Sequence, residues 1–220
     1  MHLTAAEQNA KSCIEIEKGI SEKDIEILSK NTAMLRDNIQ GFSSSCVINS
    51  VAFLESVINE LIEDASDNIL DNIDVKYIEK MRALFDTEIL EKASILDKYQ
   101  MVLIIFDKEP FIKGNNPYQD TASLIYLRNR LVHSKITWQP LVKNDKEFEK
   151  DKIQKLLENK FKDNRIFKDT NFPYFPEKCL GAGCSEWSVH IAKQFITNYF
   201  NIIGISDYQS RFTDVWGVKK

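Results

Sequence analysis

The run Leu127-Arg128-Asn129-Arg130-Leu131-Val132-His133 puts a permanent cation, an amide and an imidazole within two helical turns. A guanidinium keeps its charge and holds a phosphate through two parallel hydrogen bonds. An imidazole titrates near neutral pH, which suits it to taking and returning a proton. Asn129 stands one turn before His133 on the same helix face, where its amide can fix the ring's orientation. These types suit chemistry at a phosphate, with Arg128 stabilising charge, His133 moving the proton and Asn129 aligning it. Arg130 and Lys135 add positive charge around the three, and Tyr126 sits near enough to contact a bound molecule. A plainer reading stands beside this one. Arg128 can pair with an acidic residue of a neighbouring helix and lock a bundle, and His133 can be a helix-end residue favoured by the dipole.

The element that must carry these side chains is a helix over Thr121–Trp138, capped by Asp120 or Thr121 after the turn-rich Gly114-Asn115-Asn116-Pro117. Helical spacing gathers Leu124, Leu127 and Leu131 on one side, with Ile125 and Val132 at the edge. Tyr126, Asn129 and His133 fall opposite. Arg128 lands inside the apolar arc, where a guanidinium costs several kcal/mol unless it is paired or opens onto a crevice. Arg128 and His133 also diverge by about 140° on an ideal helix, so one helix does not aim both at one point. Two copies of the helix related by a two-fold axis remove that difficulty, because each contributes its Arg and His to a shared groove.

The whole chain bounds what such a helix can belong to. Its 220 residues, 43% hydrophobic and 28% charged, are those of a soluble globular protein able to bury a proper core. Seven Gly and five Pro are few and favour long helices over a turn-rich β fold. A net charge of −4 argues against a general nucleic-acid coat protein but leaves room for a local basic pocket. The longest uninterrupted apolar run, Met101–Phe106, is too short to span a bilayer, which needs about 20 residues. No charged-then-apolar leader opens the sequence, so the expectation is a cytoplasmic protein with no membrane partner. Its four cysteines are then expected to be free thiols.

Taken in order, residues 3–40 read as two helices broken at Gly19-Ile20-Ser21, with Ser21 and Asp24 as a start signal and Asn38 to Gly41 as the close. Their sparse apolar positions, Ile14, Ile16, Ile25, Leu28 and Leu35, mark an appendage along one side of a bundle. From Ser43 to Ala65, Val47, Val51, Leu54, Ile58, Leu61 and Ala65 form one stripe, and Cys46, Ser50, Phe53 and Val57 a second. A helix with two adjacent stripes is touched from two directions and belongs near the centre, and the small residues Ser43–Cys46 allow a close neighbour. Val75–Phe106 is one long helix or two nearly collinear ones, with a kink at the charged Asp86–Lys92 and Pro110 ending the region. Asp145–Asp163 is a charged amphipathic helix seamed by Phe148, Ile153, Leu156, Leu157 and Phe161. Phe172-Pro173-Tyr174-Phe175-Pro176 cannot be regular helix. Its rings either plug the end of the bundle or offer faces to unstacked bases.

Leu180–Ser185 opens a final helix, Glu186–Ile203, with Trp187, Ile191, Phe195 and Ile202 on its buried side and Gly204 as its stop. The Gly-containing stretch Gly181–Ser185 exposes backbone amides that suit an anion, with ordinary loop geometry as the alternative. Cys179, Cys184 and His190 match no common zinc spacing and lack a fourth ligand, so neither a metal nor a cofactor is expected.

The Arg128-Asn129-x-x-x-His133 run resembles the signature of the HEPN superfamily, an Arg, a polar residue and then a His after four to six positions. SSSCVINSVAFLESVINEL looks like the first core helix of HEPN-like proteins, and the order of helix, long helix, Gly/Pro-containing loop and motif helix is that of the family. The resemblance covers roughly Phe42–Lys135, and FPEKCLGAGCSEWSVHIAKQF resembles a C-terminal helix that follows the motif in some bacterial HEPN-like proteins. It implies an all-α, HEPN-like helical bundle with an N-terminal helical appendage and a C-terminal helix packed on the core. The parts are 1–41 as appendage, 42–138 as core, 139–184 as charged helix and aromatic loop, and 185–220 as final helix and tail, all in one compact domain. It also implies a homodimer joined through the motif helix. The activity implied is metal-independent RNA cleavage, in a toxin or defence effector with a cognate antitoxin, by Arg128, Asn129 and His133 as catalytic residues with Arg130, Tyr126 and Lys135 binding substrate. Family members that keep the bundle without the activity imply the alternative, a non-catalytic dimerisation or partner-binding module.

Overall fold

Hydrophobic spacing at three and four residues dominates the chain, and the computed structural model is all-helical, with no strand among the described residues. It describes residues 1–21, 33–66, 73–85, 87, 89–133 and 152–205. The helices are α1 (His2–Gly19), α2 (Ala33–Ser66), α3 (Val75–Phe85), the single turn α4 (Ile89–Lys92), α5 (Ile95–Ile105), α6 (Tyr118–Val132), α7 (Lys152–Leu157) and α8 (Ala182–Ile203). A π-helical turn at Tyr174–Lys178 precedes α8. The expected second N-terminal helix from Ser21, the connection after Ser66, the segment 145–151 of the charged helix, and Lys135 to Trp138 at the end of the motif helix lie outside the described residues in whole or in part.

The chain divides into two compact units, one of Met1–Thr4, Val51–Ala122 and Ile191–Lys220, the other of Ala5–Ser50 and Ser123–His190. Helices α2, α6 and α8 each contribute residues to both.

Helix α2 is where expectation and structure agree most closely and also where they part. Both of its stripes are buried: Val47, Val51, Leu54, Ile58, Leu61 and Ala65 have no exposure, nor have Cys46, Ser50 and Val57. The helix does not stop at Gly41, however, and runs unbroken for 34 residues. Gly41 is exposed, with nothing within 4 Å of where a Cβ would stand. Propensity is a weak signal, and flanking turns that dock on a core override one glycine. Since the glycine does nothing there that alanine cannot, Gly41→Ala should raise stability by about 1 kcal/mol, read as a higher urea midpoint with an unchanged slope. By length and composition alone α2 could also cross a bilayer. Its stripes are instead packed inside the protein.

In the first unit, α5 begins at Ser94, whose hydroxyl accepts from the Asp97 amide at 3.3 Å and donates to the Asp97 carboxylate at 2.6 Å. This reciprocal cap, rather than a kink within one long helix, separates α5 from the short α4 and from α3. Tyr99 sits at the centre of the unit, donating to the Leu54 carbonyl at 2.6 Å and meeting Phe195 and Tyr199 edge-on at 4.8 and 4.7 Å. Tyr199 is equally buried, yet its hydroxyl has no hydrogen-bond partner among the described residues. The pair separates two effects of a buried hydroxyl. Tyr99→Phe should cost about 1 kcal/mol by removing the hydrogen bond to the Leu54 carbonyl, whereas Tyr199→Phe should cost nothing or stabilise by a similar amount, measured by chemical denaturation. Ile202, expected on the buried side of α8, is 36% exposed, and Tyr199, Phe200 and Ile203 are buried in its place.

In the second unit, Cys13, Ile20, Ile39, Ile166 and Phe167 form the core. Helix α1 buries Ala6, Ala10, Cys13 and Glu17 rather than Ile14 and Ile16, which are half-buried. The small side chains on that face permit close packing, which residue size alone does not announce. Asn164 is wholly buried and holds the loop before α8: its amide donates to the Leu180 carbonyl at 2.7 Å and its side-chain oxygen accepts from the Ile166 amide at 3.0 Å. Helix α7 ends at Leu157, well short of Asp163, and Asn159 takes the left-handed conformation (φ 65°) that follows many helix ends.

Candidate functional site

Helix α6 starts at Tyr118, ahead of the expected cap. Pro117 has no amide to leave unpaired and its φ already suits a helix, so the first turn forms directly after it. Its carbonyl accepts from the Thr121 amide at 3.1 Å and the Thr121 hydroxyl at 2.8 Å. Thr121 and Asp120 therefore lie inside the first turn rather than capping it, with the Asp120 carboxylate favoured there by the helix dipole. Helix α6 ends at Val132, and His133 follows in a turn.

Leu124 and Leu127 are fully buried, joined by Thr121 and Ser123. Ile125 and Leu131 are half-buried, and Val132 is 51% exposed. Arg128 is half-buried with its Nε atom shielded from solvent, which fits its place within the apolar arc. Asn129 and His133 are both exposed, and the His133 amide donates to the Asn129 carbonyl at 2.9 Å, so the two stand on successive turns. Tyr126 and Arg130 are half-buried, and each meets a residue from later in the chain. The Lys152 ammonium lies 5.1 Å from the Tyr126 ring centre, and the Arg130 guanidinium lies 5.9 Å from that of Phe175. Lys135 is outside the described residues. The side chains thus form an open edge at the carbonyl end of α6. A concavity of about 630 Å³ in this unit is lined by other residues, with Arg128, Asn129 and His133 absent from its walls.

The aromatic stretch serves structure in part. Phe172 meets the buried Phe167 edge-on at 5.7 Å. Phe175 is extended (φ −110°, ψ 131°) within the π-turn and half-buried against Arg130.

The start of α8 proves to be occupied by the chain's own anion. The Ala182 amide donates to Glu17 Oε1 at 2.6 Å, across a separation of 165 residues, and the Arg165 guanidinium donates to the Glu17 carbonyl at 3.3 Å. Glu17 is 7% exposed, and burial raises its carboxyl above the ordinary 4.5 despite the Ala182 amide and Arg165, with Glu186 raising it further. Between 4.5 and that raised value the folded protein keeps a proton that the unfolded chain has lost, so stability falls as pH rises through the window. Glu17→Gln keeps the acceptor for Ala182 and should flatten the dependence of the urea midpoint on pH from 4.5 upward.

Gly181 and Gly183 let this packing close. A Cβ on Gly181 would stand 2.5 Å from Glu17 Oε1, and one on Gly183 would collide with the Lys162 carbonyl oxygen. Ser43 Oγ donates to the Gly181 carbonyl at 3.3 Å and Cys46 Sγ to the Ser185 carbonyl at 3.4 Å, which explains the small residues on α2. All four cysteines are free and buried. Burial pushes Cys13 and Cys46 up to about 12, and the neighbouring Cys184 side chain, with burial, raises Cys179, so these three are not reactive thiolates. His190 is exposed while Cys179 and Cys184 have no exposure, and among the described residues no three His, Cys, Asp or Glu side chains gather to hold a metal ion. The Glu17 contact left no local signal in the sequence, since a single Glu in α1 has no periodicity pointing to a helix start so far away.

No family model, curated protein or solved structure matches this chain.

Proposed function

We propose that the chain is a HEPN-like endoribonuclease that cuts RNA without a metal as a homodimer, with Arg128, Asn129 and His133 as its catalytic residues. The observation that carries this reading is the pairing of exposed Asn129 and His133 on successive turns with Arg128 half-buried beside them. In the reaction, the 2′-oxygen of the substrate attacks phosphorus and the bond to the 5′-oxygen of the next nucleotide breaks. His133 of one copy takes the 2′-hydroxyl proton, and His133 of the second returns a proton to the leaving oxygen. Arg128 holds the non-bridging oxygens as charge builds on them. The products are a 2′,3′-cyclic phosphate and a 5′-hydroxyl. Arg130, beside Phe175, and Tyr126, under Lys152, flank the edge where RNA would lie, and Lys135 follows in sequence.

The same reading places the protein in the cytoplasm as a toxin or defence effector, held in check by a cognate antitoxin or another partner protein. A second reading, a non-catalytic dimerisation or partner-docking module, is favoured by the net charge of −4 and by Val132 standing exposed next to the motif. Incubation of the purified protein with mixed RNA in EDTA, alongside light scattering for its mass in solution, separates the two. Cleavage by a dimer supports the nuclease. Intact RNA of every kind tried, with a dimer or a captured partner, supports the module.

A further inference from the structure

Residues three, four and seven positions apart share one side of a helix. Tyr126, Asn129, Arg130 and His133 therefore stand in a single row along the last turns of α6, and Arg128 falls outside it. The fold adds two residues from later in the chain to this row. The start of α7 sets the Lys152 ammonium 5.1 Å from the Tyr126 ring centre. The π-turn before α8 sets the Phe175 ring centre 5.9 Å from the Arg130 guanidinium. Other rings of this unit are used in packing, Phe161 on Trp187 at 5.3 Å and Phe172 on the buried Phe167 at 5.7 Å. Among the described residues Phe175 and Tyr126 stack on no other ring, and each meets a cation instead. Both are half-buried, so neither is sealed in the core, and Lys152, Asn129 and His133 beside them are exposed.

A ring paired with a cation matches the two repeating parts of an RNA strand. The cation attracts the phosphate, and the ring offers a face to a base. Arginine suits the pairing further, because its planar guanidinium itself stacks on bases. A base inside a duplex already has both faces covered, so such a seat takes an unpaired one. We infer that Phe175, with Arg130, seats an unpaired base next to the bond to be cut and sets which nucleotide is preferred there. The inference rests on the ribonuclease reading of α6, since Arg130 stands one turn before His133. A purine presents more stacking area than a pyrimidine, so the seat favours purine at that position. Tyr126 and Lys152, one turn further from His133, hold the neighbouring nucleotide.

Binding of labelled oligo(A), oligo(U) and an A·U duplex tests this on the full chain carrying His133→Ala, which leaves the strand uncut. Initial cleavage rates on the two single strands, with His133 intact, are measured in parallel. Oligo(A) should bind more tightly than oligo(U), and the duplex most weakly. Phe175→Leu keeps apolar bulk without a ring face and should weaken oligo(A) by about tenfold, bringing it level with oligo(U), with the melting temperature unchanged. Phe175→Tyr restores the ring and should restore both affinity and preference. Phe175→Leu binding and cleaving like wild type overturns the inference and leaves the ribonuclease reading standing. A loss that Phe175→Tyr fails to restore also overturns it, because the ring then only ties the turn to α6. No RNA bound or cut by any form of the protein overturns both.

Discussion

If the chain is the ribonuclease proposed, Arg128→Ala and His133→Ala should each lower the rate of RNA cleavage by at least about 100-fold, with the helical signal and the solution mass unchanged. His133 is exposed at the end of α6, so losing its ring removes no packing. Arg128 is half-buried, so the control matters more there. Arg128→Lys answers it: lysine keeps the charge and much of the stem but not the two-pronged donor, and activity should fall nearly as far while stability holds. Asn129→Ala, on the turn before His133, should give a smaller loss, because it orients a ring rather than carrying charge or proton. Initial rates on a labelled single-stranded RNA in EDTA measure all four. Cleavage that survives in His133→Ala sinks the nuclease reading.

Gly183→Ala should destabilise the protein by about 3 kcal/mol, lowering the melting temperature by roughly 9 °C for a chain of this size. The added methyl would enter the space of the Lys162 carbonyl oxygen, with the Lys162 nitrogen and carbonyl carbon at 3.1 Å. These are backbone atoms, which cannot swing aside as a side-chain tip can. The adjoining loop is itself tied down through Asn164 to Lys178 and Leu180. Gly181→Ala meets the Glu17 carboxylate oxygen and the Asn164 Cα at 3.1 Å, so it should also destabilise and should disturb the Ala182–Glu17 bond. Gly114→Ala meets nothing within 4 Å and serves as the neutral comparison. Equal melting temperatures for Gly183→Ala and Gly114→Ala would contradict the close packing at the start of α8.

The two predictions draw on different kinds of information. Helical character, the double stripe of α2 and the buried leucines of α6 are properties of neighbours three and four positions apart, so residue order alone sufficed for them. Arg128 in an apolar arc was legible for the same reason, and its half-buried state follows from that placement. Helix ends were less legible because they depend on how groups are satisfied. Pro117 starts α6 ahead of the hydroxyl and carboxylate that looked like caps, and Gly41 yields to the packing on either side of it. The contacts between distant segments were not legible at all. That the carboxylate of Glu17 would sit on the Ala182 amide, that Gly183 would lie against the Lys162 backbone, and that Asp163, Tyr174 and Arg165 would wall one cavity depend on chain segments far apart in sequence. Periodicity says which face of a helix is buried, and only the packed structure says against what.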